Sequence, residues 1–587
     1  MRNTSRFALA IVLAAVAPAF GQDAGQRLRA LADDMVEREF DLAPARETYS
    51  EGSGRRAGRA VVDLSADSAQ RYLALYAAVL DQVGKIPASE LSERDRINRE
   101  LLVRRATAER ERYGYPLDAV AQATPIRNVL NTLIRLGASS QPLATEADFE
   151  AWLARLEASS TTFDQAVAQL KAAAARGWTT PRALVEATLR QVEPVAAKPA
   201  REGPFWDMLA KYPAGAPDGK RADFERRYAE VLGARLLPAI GRYATFLREE
   251  YLGKARTTSG IGALPNGERA YRAMIRNYTT LDRSPDEIHA IGLAEVARIR
   301  PKLLEVARGL GFKGEMRELS AWLEASDSNY PFRTGGEVLE YLRTVHARIE
   351  PKLPKLFSKL PRAPFEIHLT PAAVAASSSA TYSRPSADGK RPGIFHIPVV
   401  DPTRQGASGL PALLMHEGMP GHHLDIARMV ELDLPRFRKA YSVTVYSEGW
   451  GLYAESLGHE LGAYDDPWSL LGRYLAELHR AARLVVDTGL HSKGWSREQA
   501  IRYLVEERGA GERSATVAIE RYMADPGQAL AYKTGELEIL KLRAYAQREL
   551  GHRFDIREFH EAVLGEGALT IELLRVRVGE WITYVKP

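Results

Sequence analysis

Residues 415–423 read MHEGMPGHH and interrupt a helical pattern that otherwise runs from residue 410 almost to the C-terminus. The histidines in this stretch are poorly spaced for a single helix. His422 lies six residues after His416, a rotation of about 600° that places the two on opposite sides. His423 lies seven residues after His416, which restores the face but separates the positions by about 10 Å of rise. A continuous helix therefore cannot bring either residue beside His416.

Pro420 and Gly421 predict a break in the helix at this point. A proline ring clashes with the carbonyl four residues earlier and removes one helical hydrogen bond, and here that carbonyl belongs to His416. Gly421 then allows the backbone angles that the return of the chain requires. We expect this interruption to bring a later histidine back beside His416.

The pair His416-Glu417 resembles the start of the H-E-x-x-H zinc motif, in which two imidazoles meet one ion and the intervening glutamate faces the bound water. A catalytic zinc usually takes three protein ligands and keeps one position for water. Glu448, on a downstream helical pattern, is the predicted third ligand. Glu455 lies seven residues later on the same face and is expected to orient a ligand.

Composition restricts the classes of function. The chain has 587 residues, and its 80 Lys and Arg against 75 Asp and Glu give a net charge of +5. No dense Lys/Arg block is present, so we expect no nucleic-acid partner. Because cysteine is absent, the chain has no disulfide and no thiol nucleophile, and a metal site must use His, Asp and Glu.

The N-terminus has the pattern of a secretory signal. Arg2 and Arg6 precede an uncharged apolar run over residues 7–20, and residues 19–21 supply the small residues of a cleavage site. The run is short for the ~30 Å of hydrocarbon that a membrane anchor must span. No cysteine follows that could carry a lipid. We expect residues 1–21 to be removed and the mature protein to be periplasmic or secreted, without stable membrane insertion.

The pattern predicts a mainly α fold with a small β-sheet just before the metal-binding segment. Alternating residues indicate strands at 365–370 and 393–399, with a loop rich in Ser, Gly and Pro at 376–392. A soft boundary near residue 280 would separate an N-terminal helical lobe, 22–280, from a catalytic lobe, 281–587. The alternative is one continuous domain.

Two motifs resemble known families. Residues 448–455, EGWGLYAE, are similar to the N-E-G-F-A-x-Y-x-E segment of gluzincin aminopeptidases, whose first glutamate is the third zinc ligand. Residues 416–423 are similar to the signature of the bacterial domain of unknown function 885 family, which is grouped with gluzincin-like peptidases. The similarity covers most of the mature chain and extends to Arg483, 487–491, 526–529, Tyr532, Gly535, Arg543 and 559–560.

This resemblance implies a zincin-like, gluzincin-type peptidase fold with one zinc ion per chain. His416, His422 and Glu448 would hold the ion and Glu417 would activate its water. The Gly-His pair common in gluzincins favours His422 over His423 as the second ligand. The resemblance also implies C-terminal groups that stabilise the oxyanion, with Tyr532 the first choice and His491 the second. The candidate substrate-binding residues are Arg543, Tyr382 and His560.

The function predicted from these features is zinc-dependent hydrolysis of peptide bonds, with short peptides as substrates. Two alternatives remain open at this point: hydrolysis of non-peptide amides or esters, and an inactive peptide-binding relative. The oligomeric state is open as well. The strand at 393–399 is expected to be an edge strand that pairs with the substrate backbone, and Tyr382 with residues 383–392 would form a wall or lid of the cleft.

One group of residues has a second interpretation. Arg483, Asp487 and His491 have helical i, i+4, i+8 spacing, so they could form a structural ladder of ion pairs. Tyr532 and His560 could likewise be core or rim residues whose polar groups are satisfied within the protein.

Overall fold

A computed structural model describes residues 23–586, apart from 53, 372–374, 376–378 and 387–390. The predicted signal segment, 1–21, lies outside the described residues, and so does part of the predicted loop at 376–392. Within the described chain, none of the helices is both long enough and apolar enough to cross a membrane.

The described part of the chain is mainly α-helical, as the sequence predicts. Short 3-10 and π-helical turns connect many of the helices. The α-helices are α1 Ala24–Leu42, α2 Pro44–Glu51, α3 Ser68–Gly84, α4 Glu93–Tyr113, α5 Leu117–Ala121, α6 Val129–Ser139, α7 Glu146–Ala175, α8 Arg182–Ala196, α9 Asp218–Val231, α10 Leu237–Phe246, α11 Gly267–Thr279, α12 Pro285–Gly309, α13 Leu319–Glu324, α14 Gly335–Ile349, α15 Leu410–Glu417, α16 His422–Glu431, α17 Arg436–Ala440, α18 Thr444–Ser456, α19 Gly458–Leu461, α20 Pro467–His491, α21 Arg497–Arg508, α22 Glu512–Ala524, α23 Ala531–Leu550, α24 Ile556–Leu564 and α25 Ile571–Val585.

A three-stranded sheet precedes the helices that carry the histidines. Its strands are β1 Phe365–Leu369, β2 Thr381–Ser383 and β3 Gly393–Ile397, in the order β1-β3-β2. β1 runs parallel to β3 and β2 runs antiparallel to it. β3 is therefore the central strand, and the expectation that it is an edge strand open to a substrate is wrong. Its backbone groups already pair with neighbours on both sides.

The hydrophobic core joins the two ends of the chain. One cluster of buried side chains contains Met35 and Tyr76 from α1 and α3 together with Trp450 and Phe559 from α18 and α24. A second cluster lies wholly within the N-terminal part, between Ala45 and Tyr251. Residues on both sides of position 280 therefore share the first cluster.

Helices α18 and α23 pack with their backbones almost in contact. A Cβ atom on Gly449 of α18 would lie 2.5 Å from the Cα of Gly535 in α23, and one on Gly535 would collide with the carbonyl oxygen of Val445. Only residues without a side chain allow the two helices to approach this closely. The contact fixes α18 against the C-terminal helices, and α18 carries Glu448.

Replacement of Gly535 by alanine should destabilise the protein. The new methyl group has to displace backbone rather than a flexible side chain, so we expect a loss of about 1–3 kcal/mol in the free energy of unfolding. Urea denaturation measures it. Gly579→Ala is the matched control, because a Cβ at this helical position in α25 meets no atom within 4 Å. The control should be neutral or gain up to about 1 kcal/mol from helix propensity. Equal losses in both variants would contradict the packing argument.

Candidate metal centre

Three of the predicted ligands converge in the structure. His416 Nε2 lies 3.4 Å from a carboxylate oxygen of Glu448, and His422 Nε2 lies 3.6 Å from the same oxygen. One ligand atom from each of the three residues lies within 4.8 Å of the others, an arrangement that could hold a metal ion. His416 is 4% exposed, His422 12% and Glu448 21%, so the triad sits in a partly open pocket.

The break between α15 and α16 produces this convergence. α15 ends at Glu417 and α16 begins at His422, so the predicted interruption is present. Gly418 and Gly421 adopt ψ angles of −136° and −124°, far from helical values. The Met419–Pro420 peptide is cis. A Cβ on Gly421 would collide with the carbonyl oxygen of His416, so the returning chain passes directly against the end of α15.

Contacts from α18 hold the break in place. The indole N–H of Trp450 donates to the carbonyl of Pro420 over 2.9 Å. The hydroxyl of Ser447 donates to Asp425 of α16 over 2.7 Å. These two bonds connect the segment that follows His416, and the helix that begins at His422, to the helix that carries Glu448. The three ligand-bearing elements are thus joined to one another directly.

The imidazole of His416 is fixed on two sides. Its Nδ1 lies 2.9 Å from the fully buried carboxylate of Glu455, which in turn lies 3.2 Å from Arg480. On the other side the ring packs on Gly451, where a Cβ would lie 2.7 Å from its Cε1. Glu455 therefore orients a predicted ligand, as expected from the sequence, and leaves Nε2 of His416 directed at Glu448.

The carboxylates at the triad favour a positive charge between them. Burial opposes protonation of His416, but Glu448 and Glu455 outweigh it and raise its pKa to about 9. Burial likewise opposes ionisation of Glu448, yet the neighbouring imidazoles of His416 and His422 hold its pKa well below its usual value. The buried carboxylate of Glu455 and the half-buried one of Glu448 thus require a compensating cation, which a proton or a metal ion can provide.

His423 is not part of the triad. Its Nδ1 lies 2.8 Å from the hydroxyl of Tyr382 in β2, and burial lowers its pKa to about 4. The preference for His422 over His423 thus agrees with the geometry. Tyr382, predicted to line the substrate cleft, instead contacts the histidine next to a ligand. Gly393 of β3 leaves space for this contact.

Tyr532 lies beside the triad. Its ring stacks on that of His416 with centroids 6.2 Å apart, and its hydroxyl lies 3.4 Å from the amide nitrogen of Gln528. Burial and the nearby charge of Glu448 raise its pKa, so the hydroxyl keeps its proton and can donate it in a hydrogen bond. This position is compatible with the role expected of an oxyanion donor.

In the structure, His491, His560 and Arg543 bond to other parts of the protein and not to a group at the triad. The nitrogens of His491 contact the backbone N–H of Ile261 at 3.2 Å and the carbonyl of Tyr522 at 3.0 Å. Burial lowers its pKa to about 3. With no free N–H, His491 cannot serve as the expected second oxyanion donor.

The ring of His560 is likewise occupied. Its Nδ1 bonds to the carbonyl of Leu356 and its Nε2 to the hydroxyl of Tyr453. Arg543 donates to that same hydroxyl and pairs with Glu460 over 2.9 Å. The expectation that His560 and Arg543 bind substrate is not supported, because both ring nitrogens of His560 have internal partners and Arg543 is already paired with Glu460.

The predicted ladder of ion pairs on α20 is absent. Arg483 donates to the hydroxyl of Tyr522 over 3.0 Å and not to Asp487. Asp487 instead accepts from the hydroxyl of Tyr271 at 2.6 Å and from the N–H of Gly527 at 3.1 Å. The helical spacing was a poor guide because neighbouring helices supply closer partners.

The sequence matches a known protein family over most of its length. The sequence profile of a family described as "Bacterial protein of unknown function (DUF885)" matches residues 44–578. The chain belongs to this family. The match confirms the resemblance to the domain of unknown function 885 family, and it covers nearly all of the residues that the structure describes. None of the curated proteins compared with the chain matches it.

Two solved structures are similar to this DUF885 chain. A protein named "putative lipoprotein" from Colwellia psychrerythraea is 28% identical with a TM-score of 0.86, and the match covers 96% of this chain and 100% of that one. A "putative lipoprotein of unknown function" from Shewanella oneidensis is 18% identical with a TM-score of 0.68, covering 94% and 99%. The second likeness shows a shared fold alone.

The contact between His416 and Glu455 predicts a graded effect on metal affinity. In Glu455→Gln the ring loses its carboxylate partner, so affinity for zinc, the metal that the sequence predicts, should fall about 10- to 100-fold. Competition with a chromophoric chelator measures this. Glu448→Ala should abolish binding. Glu460→Gln, on the next helix, is the control and should bind as the wild type does. Wild-type affinity in Glu455→Gln would contradict the assigned role.

Asp487 predicts a specific dependence of stability on pH. Burial raises its pKa to about 7 from its ordinary value of 3.8, although hydrogen bonds from Tyr271 and Gly527 partly oppose the increase. Between these values the folded chain holds a proton that the unfolded chain loses. The free energy of unfolding therefore decreases as pH rises through this window.

Asp487→Asn removes the titrating group. Between about pH 5 and about pH 8, this variant should lose less unfolding free energy than the wild type, by on the order of 1–4 kcal/mol. Urea denaturation at both pH values measures the difference. Identical pH profiles for the two proteins would show that Asp487 is already ionised in the folded state.

Proposed function

We propose that the protein is an exported zinc-dependent metallopeptidase that hydrolyses short peptides. The observation that carries the proposal is the convergence of His416, His422 and Glu448 beside Glu417. Two imidazoles and one carboxylate are a donor set that zinc prefers. Tetrahedral zinc with such ligands places adjacent donor atoms about 3.3–3.5 Å apart. The distances of 3.4 Å and 3.6 Å in the triad fit this spacing.

Each residue has a distinct task in the proposed reaction. Zinc held by His416, His422 and Glu448 would supply Lewis acidity for the scissile carbonyl and would lower the pKa of bound water. The side chain of Glu417, at the end of α15, makes no hydrogen bond or ion pair with the described residues, so its carboxylate is available as a base. It takes the proton of the attacking water and passes it to the leaving amine. The hydroxyl of Tyr532 donates to the oxyanion.

The supporting residues hold these groups in their relative positions. Glu455 holds the ring of His416, and Gly451 leaves the space for it. Trp450 and Ser447 connect the same helix to the break and to α16. A preorganised set of this kind, together with the motif at 448–455, favours a gluzincin-type peptidase within the mainly α fold.

We also propose that the protein is exported. The N-terminal residues have the pattern of a cleaved signal, and both similar solved structures are named as lipoproteins. We therefore propose a periplasmic or secreted protein.

Replacement of Glu417 by glutamine tests the reaction. The variant should retain zinc, since Glu417 is not a ligand, and should lose about 10²- to 10⁴-fold in kcat on a mixture of short peptides, because the general base is gone. Metal analysis and mass spectrometry of the products measure the two properties. Glu506→Gln, an exposed glutamate of α21, is the control and should match the wild type.

The same experiment separates the alternatives. Zinc binding with turnover of esters or non-peptide amides, and no turnover of peptides, would identify a different hydrolase. Unchanged peptide turnover in Glu417→Gln would rule out the assigned base.

A further inference from the structure

A group of basic side chains lies next to the metal triad, and the reaction described above does not use it. Three members are on α20, one is on α21 and one is on α22. We call this group the arginine cluster; it consists of His479, Arg480, Arg483, Arg508 and Arg521. The four arginines all act electrostatically on His479, whose pKa is held well below its usual value by burial and by their charges.

The cluster lacks the carboxylates that normally accompany buried arginines. Arg480 pairs with Glu455, at 3.2 Å. Among the described residues, Arg483, Arg508 and Arg521 form no ion pair with an acidic side chain. The buried Lys533, by contrast, contacts Glu295, Glu477 and Glu536. The cluster therefore carries positive charge that the protein itself does not neutralise.

Hydrogen-bond donors in the cluster are also without partners. Buried side-chain nitrogens with no hydrogen-bond partner within the described structure occur on four of its five residues: Nδ1 of His479, Nε of Arg480, Nη1 of Arg483 and Nε of Arg508. Leaving such groups unpaired is costly, and guanidinium groups pair best with carboxylates. The side chain of Arg483 is only 7% exposed. Burial lowers the pKa of Arg508 to about 10, and Arg483 and Arg480 add to this effect.

Tyr532 connects the cluster to the triad. The guanidinium carbon of Arg483 lies 4.4 Å from the centre of the Tyr532 ring, whose other neighbour is the imidazole of His416 at 6.2 Å. The charge of Arg483 also interacts with that of Glu448. At the other end Arg521 is exposed to solvent, so the cluster extends from the triad to the surface.

We propose that the arginine cluster is the subsite for a carboxylate of the substrate, with Arg483 as its innermost contact. This inference rests on the proposed peptidase function and specifies its substrate: a short peptide whose negatively charged end lies at the cluster while the bond to be cleaved lies at the triad. Arg483 thus takes the role that the sequence suggested for Arg543, which is already paired with Glu460.

The distances indicate how much peptide fits between the two sites. The path from His416 through the Tyr532 ring to Arg483 consists of steps of 6.2 Å and 4.4 Å. An extended peptide covers about 3.3–3.6 Å per residue, so at most about three residues fit between the triad and the bound carboxylate. Cleavage at the triad would then release a short C-terminal fragment of a peptide with a free α-carboxylate.

Binding rather than turnover tests the subsite, because binding remains measurable if the protein is not a peptidase. The probes are three N-acetylated peptides: acetyl-Ala-Ala-Ala with a free C-terminus, the same peptide as its C-terminal amide, and acetyl-Ala-Glu-Ala amide. Calorimetry with full-length Glu417→Gln protein gives the affinities without hydrolysis. We expect the free acid to bind about tenfold or more tightly than its amide, since a charge-assisted hydrogen bond is lost in the amide.

Substitutions in the cluster then locate the effect. In Arg521→Gln and Arg483→Gln, each combined with Glu417→Gln, the ratio of acid to amide affinity should fall towards one while affinity for the amide stays constant. Arg521 is exposed, so its variant retains the fold even if the buried Arg483→Gln does not. Arg513→Gln is the matched control, an exposed arginine on the same helix with no ion pair, and it should preserve the ratio.

Each outcome has a definite meaning. Preferential binding of acetyl-Ala-Glu-Ala amide would support the subsite but assign it to an acidic side chain rather than to the C-terminus. Equal binding of all three peptides, or a preference for the acid that survives both substitutions, would overturn the inference. A cluster-dependent preference in a protein that cleaves no peptide would retain the subsite and reject the peptidase.

Discussion

The passage of Gly421 against the carbonyl of His416 is the constraint on which the site depends. Because of this close passage, His416 and His422 face the same carboxylate, although their six-residue spacing would place them on opposite sides of a continuous helix. The indole of Trp450 holds the turn, and the helix that supplies this indole also supplies Glu448 and Glu455. That helix is in turn fixed by the glycine contact with α23. A few close backbone contacts therefore determine the positions of all three candidate ligands.

Much of this arrangement could be predicted from the sequence because its determinants are local. Three features depend on helical geometry and on residue types within a stretch of chain about ten helical turns long. They are the break at Pro420-Gly421, the triad and the support from Glu455. The small sheet was also anticipated, but β2 was missed, because three residues beside a loop give too short an alternation to detect.

The long-range partners of several side chains could not be predicted from the sequence. His491 and His560 look like free functional histidines, yet each is saturated by distant groups such as the carbonyls of Tyr522 and Leu356. Asp487 looks like a partner for Arg483 and instead bonds to Tyr271. The arginine cluster had one signal in the sequence: His479, Arg480 and Arg483 occur in a mainly apolar helix that has few acidic residues nearby. Its meaning became visible only once α21 and α22 added their own arginines.

The two parts of the site come from different stretches of the chain. The candidate ligands and Glu417 lie between residues 416 and 448, with their support at Trp450, Gly451 and Glu455, whereas Tyr532 and the arginine cluster belong to later helices. A change in the later helices can therefore alter which molecules are recognised without altering the ion-holding pocket. Within one scaffold, this modularity would let specificity diversify during evolution while the chemistry stays the same.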